Sequence, residues 1–267
     1  MTTDELYKLV YSKYGMITRA RGCFLYTKKG VRLTDLYLEN GRAVLGWDGK
    51  NATTFFKNML SKGLTGGFIC EDHFRLDKAV SVLLSSERIT GAFTSLEDAL
   101  KAGLSISAQG TSIYRPWNPA NTDWAAGDCV IIIPPFPWCN NIFLLAVKKT
   151  LVQNSQTSAQ IPGQSSIPFA QVSAITRSIY NLIEQLKVRQ EKDWFIYDTV
   201  VTKYWERKGP YLFPQISENQ YEAFVKHCLE CGLVIAPSYN VPSIVPYGAD
   251  TGVFSKLKSM PFDFTQE

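Results

Sequence analysis

The sequence has few of the residues on which common catalytic mechanisms depend. It contains only two histidines, His73 and His227, so general acid–base catalysis by imidazole has few candidates. A G-x-S-x-G nucleophile elbow, a glycine-rich phosphate loop and an H-E-x-x-H zinc motif are all missing. These absences argue against the usual hydrolase, nucleotide-binding and zinc-protease chemistries.

Long apolar runs and blocks of one charge are also missing. The longest apolar stretches, VIIIPPFPW and IFLLAV, fall short of a membrane span, and the polar start MTTDELYKLV does not resemble a secretory signal. The 28 basic residues are interleaved with 24 acidic ones, giving a net charge of +4 without a basic stripe. We therefore expect a cytoplasmic protein with neither a membrane nor a nucleic-acid partner.

The cysteines do not form a disulfide or metal pattern. Six are scattered through a chain large enough to fold without disulfides, and reduced thiols are the simplest interpretation. His227, Cys228 and Cys231 lie close in sequence, but both cysteines fall on the apolar face of a predicted helix, and no second ligand pair has suitable spacing. The sequence predicts core packing here and no metal.

The hydrophobic periodicity alternates between helices and strands. A hairpin is predicted around the turn Lys28-Lys29-Gly30, and a Gln- and Ser-rich linker over 152–166. Alternation of this kind is typical of a layered α/β architecture. Helices are predicted over 4–13, 51–60, 76–84, 95–104, 168–189 and 217–231, and strands at DCVIII, IFLLAVKK, PYLFPQI and LVIAP.

Two short stretches carry candidate ligand-binding residues. Thr94 and Ser95 precede a predicted helix and have capping-box spacing to Glu97 and Asp98, so a structural cap is the favoured interpretation. Hydroxyls at a helix start can also bind a phosphate. In SIYRPWNP, Arg115 could pair with a carboxylate or phosphate, and Tyr114 or Trp117 could stack on a planar ring. Slightly favoured is a structural role, in which the Tyr and Trp pack the loop and Arg115 forms an ion pair.

Three longer stretches show a family resemblance. They are FLYTKKGVRLTDLYLENGRAVLGW, with Asp35 and the Leu45-Gly46 pair, then RLDKAVSVLLSSERITGAFTSLEDALKAG, and finally KGPYLFPQISENQYEAFVKHCLECGLVIAPS. In this order the chain resembles the fold-type-I pyridoxal-phosphate-dependent aminotransferases, which have the aspartate aminotransferase fold. The second stretch is similar to the family's phosphate turn, and the third to its small domain.

The resemblance implies a particular architecture and site. We expect a reduced three-layer α/β large domain over 51–165, and an α+β small domain built from both chain ends, 1–50 and 166–267. The family resemblance also implies a homodimer and pyridoxal phosphate as a possible cofactor. Thr94 and Ser95 would then lie at the phosphate or another anion, with Tyr114 and Arg115 lining the pocket.

The departures from the family pattern affect catalysis most. The chain is shortened between about 105 and 165, and the position of the Schiff-base lysine falls on Pro134 or Pro135. Leu96 replaces the central glycine of the phosphate turn, and the substrate-carboxylate arginine falls on Ser243 or Ile244. The sequence therefore predicts a degenerate pseudoenzyme without catalytic residues, with no cofactor or with a small anionic or planar ligand.

Two alternatives remain open. In the first, the protein is an active pyridoxal-phosphate-dependent aminotransferase that uses Lys148, with Asp123 or Asp128 on the pyridine nitrogen. In the second, it is an interaction or regulatory module whose docking surface is the Pro- and Trp-rich segment 115–138.

Overall fold

The computed structural model describes residues 1–67, 71–119, 123–139, 141–152 and 161–264. Its α-helices are α1 (Thr3–Tyr14), α2 (Lys50–Ser61), α3 (Glu71–Leu83), α4 (Leu96–Ile106), α5 (Lys149–Val152), α6 (Phe169–Val188), α7 (Lys192–Phe195), α8 (Asp198–Val201), α9 (Glu218–Glu230) and α10 (Ser255–Ser259). Its strands are β1 (Ile17–Arg21), β2 (Phe24–Thr27), β3 (Arg32–Asp35), β4 (Arg88–Phe93), β5 (Thr111–Ile113), β6 (Cys129–Ile132), β7 (Phe143–Lys148), β8 (Trp205–Lys208), β9 (Tyr211–Pro214), β10 (Leu233–Val234) and β11 (Ser243–Ile244).

The chain divides into two compact units. Unit 1 comprises Met1–Asp48, Trp117–Ala120 and Arg189–Glu267, and unit 2 comprises Gly49–Pro116 and Asn121–Val188. Unit 1 thus draws on both ends of the chain. The long helix α6, which the sequence division grouped with the C-terminal segment, clusters with unit 2.

Unit 2 is built on a four-stranded sheet with the order β4-β7-β6-β5. The central strand β7 is antiparallel to both β4 and β6, and β5 is parallel to β6. The strands β4, β5 and β6 therefore run in one direction, and their C-terminal ends lie together. We call this end of the sheet its carboxyl end and the opposite one its amino end.

The core of unit 2 follows from the apolar runs of the sequence. Every residue of β6 is buried, as expected for a central strand with a continuous apolar sequence. Helix α4 packs its alanine face on the sheet, where Ala99 and Ala102 join a cluster with Phe93, Ile131 and Leu145. Helices α2 and α3 both pack against α6, which is buried on most sides, as a core helix should be.

Unit 1 contains two further sheets, with the orders β1-β2-β3-β10 and β11-β9-β8. The predicted hairpin is present as β2 and β3, joined by a turn in which Gly30 has φ 77°. Strand β10 adds in parallel to β3, with Thr34 opposite Leu233. Helix α9 buries Tyr221, Phe224 and neighbouring apolar residues against the core of this unit. The mixed α/β class predicted from the sequence is confirmed.

Candidate functional site

The predicted site residues lie at the carboxyl end of the unit 2 sheet. Thr94 and Ser95 directly follow β4, whereas Tyr114 and Arg115 directly follow β5. These two strands are the outer members of the sheet, so three strand spacings separate the pairs by about 14 Å. A ligand of that length could contact both pairs of residues, but a single phosphate group cannot bind to both.

Ser95 is the N-cap of α4. Its Oγ accepts hydrogen bonds from the backbone N–H groups of Glu97 (3.2 Å) and Asp98 (3.4 Å), which confirms the capping interpretation for this residue. The carboxylates of Glu97 and Asp98 lie in the first turn and already complement the helix dipole. Thr94 is exposed beside them. An anion at this helix start would therefore meet two negative charges.

The side chain of Tyr114 packs in the interior of unit 2. Its side chain is buried, its ring lies edge-on to Trp124 at 5.1 Å, and its N–H donates to the Ile131 carbonyl at 2.7 Å. Burial raises the pKa of the Tyr114 hydroxyl. Arg115 next to it is half-buried. Of these two residues, only Arg115 therefore has a side chain that is partly accessible to a ligand.

Lys148 lies at the other end of the same sheet. It pairs with Arg88 in the register of β4 and β7, whereas Phe93 at the far end of β4 pairs with Phe143. The length of β4 places Lys148 about 17 Å from the carboxyl end. Its Nζ donates to the Ala126 carbonyl at 2.6 Å and lies 3.2 Å from Asp128 Oδ1. The structure does not bring Lys148 together with Thr94 and Ser95.

The two candidate carboxylates also belong to the amino end. Asp128 Oδ2 accepts from the Ser107 hydroxyl at 2.8 Å, and this hydrogen bond, together with Lys148, lowers the pKa of Asp128. Asp123 Oδ1 accepts from the N–H groups of Ala125 and Ala126 and caps their turn. Both carboxylates serve local structure.

Arg88 completes this arrangement at the amino end. Its guanidinium donates to the Ser86 hydroxyl and to the carbonyls of Trp124, Ala125 and Asp128. Arg88 and Lys148 together hold the turn 124–128 by its carbonyl oxygens. Such a cluster fixes a loop.

The residues predicted from the sequence for pyridoxal phosphate held as a Schiff base do not lie together. That cofactor needs an amine, a carboxylate for its ring nitrogen and phosphate donors around one small ring. Lys148, Asp123 and Asp128 lie at the amino end of the sheet, and the predicted phosphate residues lie at the carboxyl end. Pro134 and Pro135 follow β6 at the carboxyl end, and neither carries an amine.

The proposed docking segment 115–138 exposes little apolar surface in its described part. Trp117 and Trp124 are partly buried, whereas Trp138 is 64% exposed and lies 5.3 Å from the ring of Phe56. A single exposed ring does not make a continuous docking surface.

Sequence reasoning missed the buried polar centre of unit 1. The fully buried Asp35 accepts three hydrogen bonds of 2.9 Å, from the N–H groups of Tyr37 and Leu38 and from Trp47 Nε1. Burial raises the pKa of Asp35 to about 6. These bonds hold the entry to a left-handed turn, in which the four residues 38–41 have φ between 50° and 84°.

Arg189 was also missed, because its partners are far apart in the sequence. Its guanidinium carbon lies 3.9 Å from the centre of the Tyr247 ring and 5.0 Å from that of Trp117. Its Nη1 donates to the Val44 carbonyl at 2.9 Å, and burial lowers the pKa of Arg189 to about 10. These contacts tie three distant segments of unit 1 together.

The described residues form neither a metal site nor a membrane span. Among the described side chains, no three His, Cys, Asp or Glu residues converge as a metal site requires. None of the helices in the described part of the chain combines the length and apolarity needed to cross a bilayer.

Several solved structures similar to this chain are aminotransferases. An ornithine aminotransferase from Plasmodium yoelii superposes with a TM-score of 0.67 at 11% identity, covering 97% of this chain and 98% of its own. A Bacillus anthracis aminotransferase gives 0.65 at 11% identity, covering 97% and 99%. An acetylornithine aminotransferase from Elizabethkingia anophelis gives 0.62 at 11% identity, covering 97% and 98%. These likenesses show an aminotransferase-like fold.

Sequence relatives are found in two spirochaetes. A Treponema pallidum (strain Nichols) protein is 24% identical over 278 residues, covering 89% of this chain and 91% of the relative. A Borreliella burgdorferi protein is 23% identical over 254 residues, covering 92% and 90%. Both relatives are uncharacterised, and no protein-family model matches the chain.

Proposed function

We propose that this protein is a non-catalytic member of the aminotransferase fold that binds a small anionic or planar ligand without forming a Schiff base. One observation carries the proposal. Lys148, which would have to form the Schiff base in the active alternative, is paired with Asp128 at the amino end of the sheet. The residues predicted to hold the cofactor follow β4 and β5 at the carboxyl end.

The environment of the lysines supports the same conclusion. Every lysine of the chain lies within the described residues, and all are exposed except Lys148 and Lys149, which are half-buried. A lysine that attacks carbonyl groups is activated by desolvation or by a neighbouring positive charge. Lys149 pairs with Glu87 at 3.3 Å and Lys148 with Asp128 at 3.2 Å, so both half-buried lysines are held in ion pairs.

The carboxyl end of the sheet is the proposed binding place. In open α/β sheets, ligands bind beyond the carboxyl ends of the strands. Here Arg115 would bind the anionic group of the ligand, while Thr94, about 14 Å away and beside the two carboxylates in the first turn of α4, would offer a hydroxyl to an uncharged part of it. Pro134 and Pro135 border the ligand without an amine. Pyridoxal phosphate bound non-covalently belongs to the ligand class that such a place accepts.

A reductive trapping experiment tests this function. Purified protein is incubated with pyridoxal phosphate, reduced with borohydride and digested for peptide mapping, while a parallel sample is titrated without reduction. We expect saturable binding, no dominant lysine adduct, and binding weakened about tenfold or more in Arg115→Gln, since a bond to a charged donor is lost. Arg177→Gln is the matched control, because Arg177 is also half-buried but lies on α6.

Two outcomes of this experiment would contradict the proposed function. One stoichiometric adduct at Lys148 or Lys149 that disappears when that lysine is replaced by alanine would establish the active alternative. Absence of any binding would refute the ligand-binding function.

The homodimer and the cytoplasmic location implied earlier remain part of the proposal. Sedimentation velocity at several concentrations distinguishes a dimer from a monomer. Fractionation of cells that express the protein tests its location.

A further inference from the structure

The N-terminal part of unit 1 carries an unusual concentration of positive charge. Between residues 6 and 34 the sequence has no Asp or Glu. All basic side chains of this segment are exposed. They are Lys8, Lys13, Arg19, Arg21, Lys28, Lys29 and Arg32.

The β-strands arrange part of this charge in a regular pattern. Arg19 lies opposite Tyr26, and Tyr26 lies opposite Arg32 on the next strand. Arg21 lies opposite Phe24 in the neighbouring row. Because residues two apart on a strand share a face, these five side chains lie on one face of the sheet. We call them the arginine face.

Cations and rings are in contact on the arginine face. The guanidinium carbon of Arg32 lies 4.5 Å from the centre of the Phe24 ring, and that of Arg19 lies 5.6 Å from the centre of the Tyr26 ring. The opposite face of the same strands carries Leu25 and Leu33, which are buried in the core of unit 1. The arginine face is therefore the solvent side of this sheet.

Few carboxylates neutralise this charge. Among the described residues, carboxylates lie within 4.0 Å of only two of the seven basic groups, at Lys13–Glu230 (3.0 Å) and Arg32–Asp250 (4.0 Å). Both pairs are exposed to solvent, and the other five basic groups have no carboxylate of the described residues within that distance. The segment therefore keeps a strong positive potential that favours an anionic partner.

Protection of a free sheet edge explains only part of the pattern. β1 is the outer strand of its sheet, and charged side chains on outer strands oppose edge-to-edge aggregation. That role accounts for Arg19 and Arg21. It does not account for Arg32, which lies on β3 inside the sheet, nor for Lys28 and Lys29 in the hairpin turn.

We propose that the arginine face binds the phosphodiester backbone of a single-stranded nucleic acid. Surfaces that bind single strands combine backbone-tracking cations with flat groups on which bases stack. Arginine planes as well as aromatic rings serve as stacking platforms, and here both occur in contact on one sheet face. The proposal differs from the expectation, drawn from the sequence, that the protein has no nucleic-acid partner. In the overall composition, acidic residues elsewhere in the chain balance the positive charge of this segment.

A binding titration tests the proposal. A fluorescent single strand of about 16 nucleotides is titrated with the whole protein, and anisotropy is read at about 50 and 200 mM salt. We expect affinity to fall steeply with salt, and at least tenfold weaker binding in the triple variant Arg19→Ser, Arg21→Ser, Arg32→Ser. A second variant, Tyr26→Leu, should weaken binding without a change in charge.

A charge-matched control distinguishes binding at the arginine face from a general effect of net charge. Lys192→Ser, Lys203→Ser and Lys258→Ser remove the same charge from exposed positions of unit 1 outside the arginine face, and this variant should bind like the parent protein. Equal losses in both triple variants would overturn the proposal, as would no binding at low salt. Binding to anionic vesicles or polyglutamate in preference to the strand would also overturn it. Circular dichroism confirms that each variant is folded.

Discussion

Asp35 and Trp47 are joined by a hydrogen bond of 2.9 Å from the indole Nε1 to a fully buried carboxylate oxygen. The two residues bracket the left-handed turn at 38–41. Its backbone conformation is unfavourable for residues other than glycine. A single buried acid thus holds a strained segment between β3 and α2.

The pH dependence of stability should report on Asp35. Its pKa of about 6 in the folded protein exceeds the unfolded value, so folding favours the protonated form. The corresponding stability is fully present below about pH 4 and is lost as pH rises through about 6, to a total of roughly 3 kcal/mol. Urea unfolding of the parent protein and of Asp35→Asn across this range measures the difference. A difference in unfolding free energy that stays constant with pH would contradict the assignment.

Gly209 should tolerate alanine much less well than Gly248. Both have positive φ, 58° and 74°, so both substitutions cost about 1 kcal/mol for the backbone. At Gly209 a Cβ would also collide with the carbonyl oxygen of Trp117, whereas at Gly248 it would meet open space. We expect Gly209→Ala to cost at least about 3 kcal/mol. Similar unfolding midpoints for the two variants would refute the close approach.

Gly103 on α4 should show coupling to Thr111. Replacing a helical glycine with alanine normally gains about 1 kcal/mol. Here a new Cβ would collide with the Thr111 side chain, so Gly103→Ala alone should be neutral or destabilising. Thr111→Ala removes the colliding atoms beyond Cβ and also a buried hydroxyl without a hydrogen-bond partner. A double-mutant cycle should give favourable coupling of about 1 kcal/mol, and strict additivity would exclude the contact.

Arg189 should not be replaceable by lysine. A lysine keeps the charge but loses the planar group that stacks between Tyr247 and Trp117. We expect Arg189→Lys to lower the unfolding free energy by about 2 kcal/mol. The exposed Arg21→Lys serves as control and should stay within about 0.5 kcal/mol of the parent protein. Equal effects of the two substitutions would show that stacking at Arg189 contributes nothing.

Local features of this protein were predictable from its sequence. Ser95 was placed correctly as a cap, because a capping hydroxyl and its targets lie within three residues. The core helices followed from apolar periodicity, as α9 shows with an observed range of Glu218–Glu230. Ser217 and Gln220 also have the spacing of a capping box, but no such box forms, since the Ser217 hydroxyl bonds the side chains of Asn219 and Gln220 and no helix N–H.

Features that depend on pairing between strands distant in the sequence were not predictable, unlike the local hairpin of β2 and β3. Lys148 was correctly expected at the end of a strand, but which end of the sheet it occupies depends on β7 running antiparallel to β4, whose residues lie about 55 positions earlier. The arginine face is hidden for the same reason, because its members come from three different strands. Only the pairing register brings Arg19, Tyr26 and Arg32 into one row.

The parallel pairing of Thr34 with Leu233 also has a consequence for biosynthesis. The first three strands leave the ribosome long before their partner β10 exists, so the edge of β3 that pairs with β10 stays unpaired during synthesis of unit 2. A chain that stops before residue 233 would leave this edge permanently open to pairing with other chains. Synthesis of β10 is therefore the step that closes this edge of the first sheet.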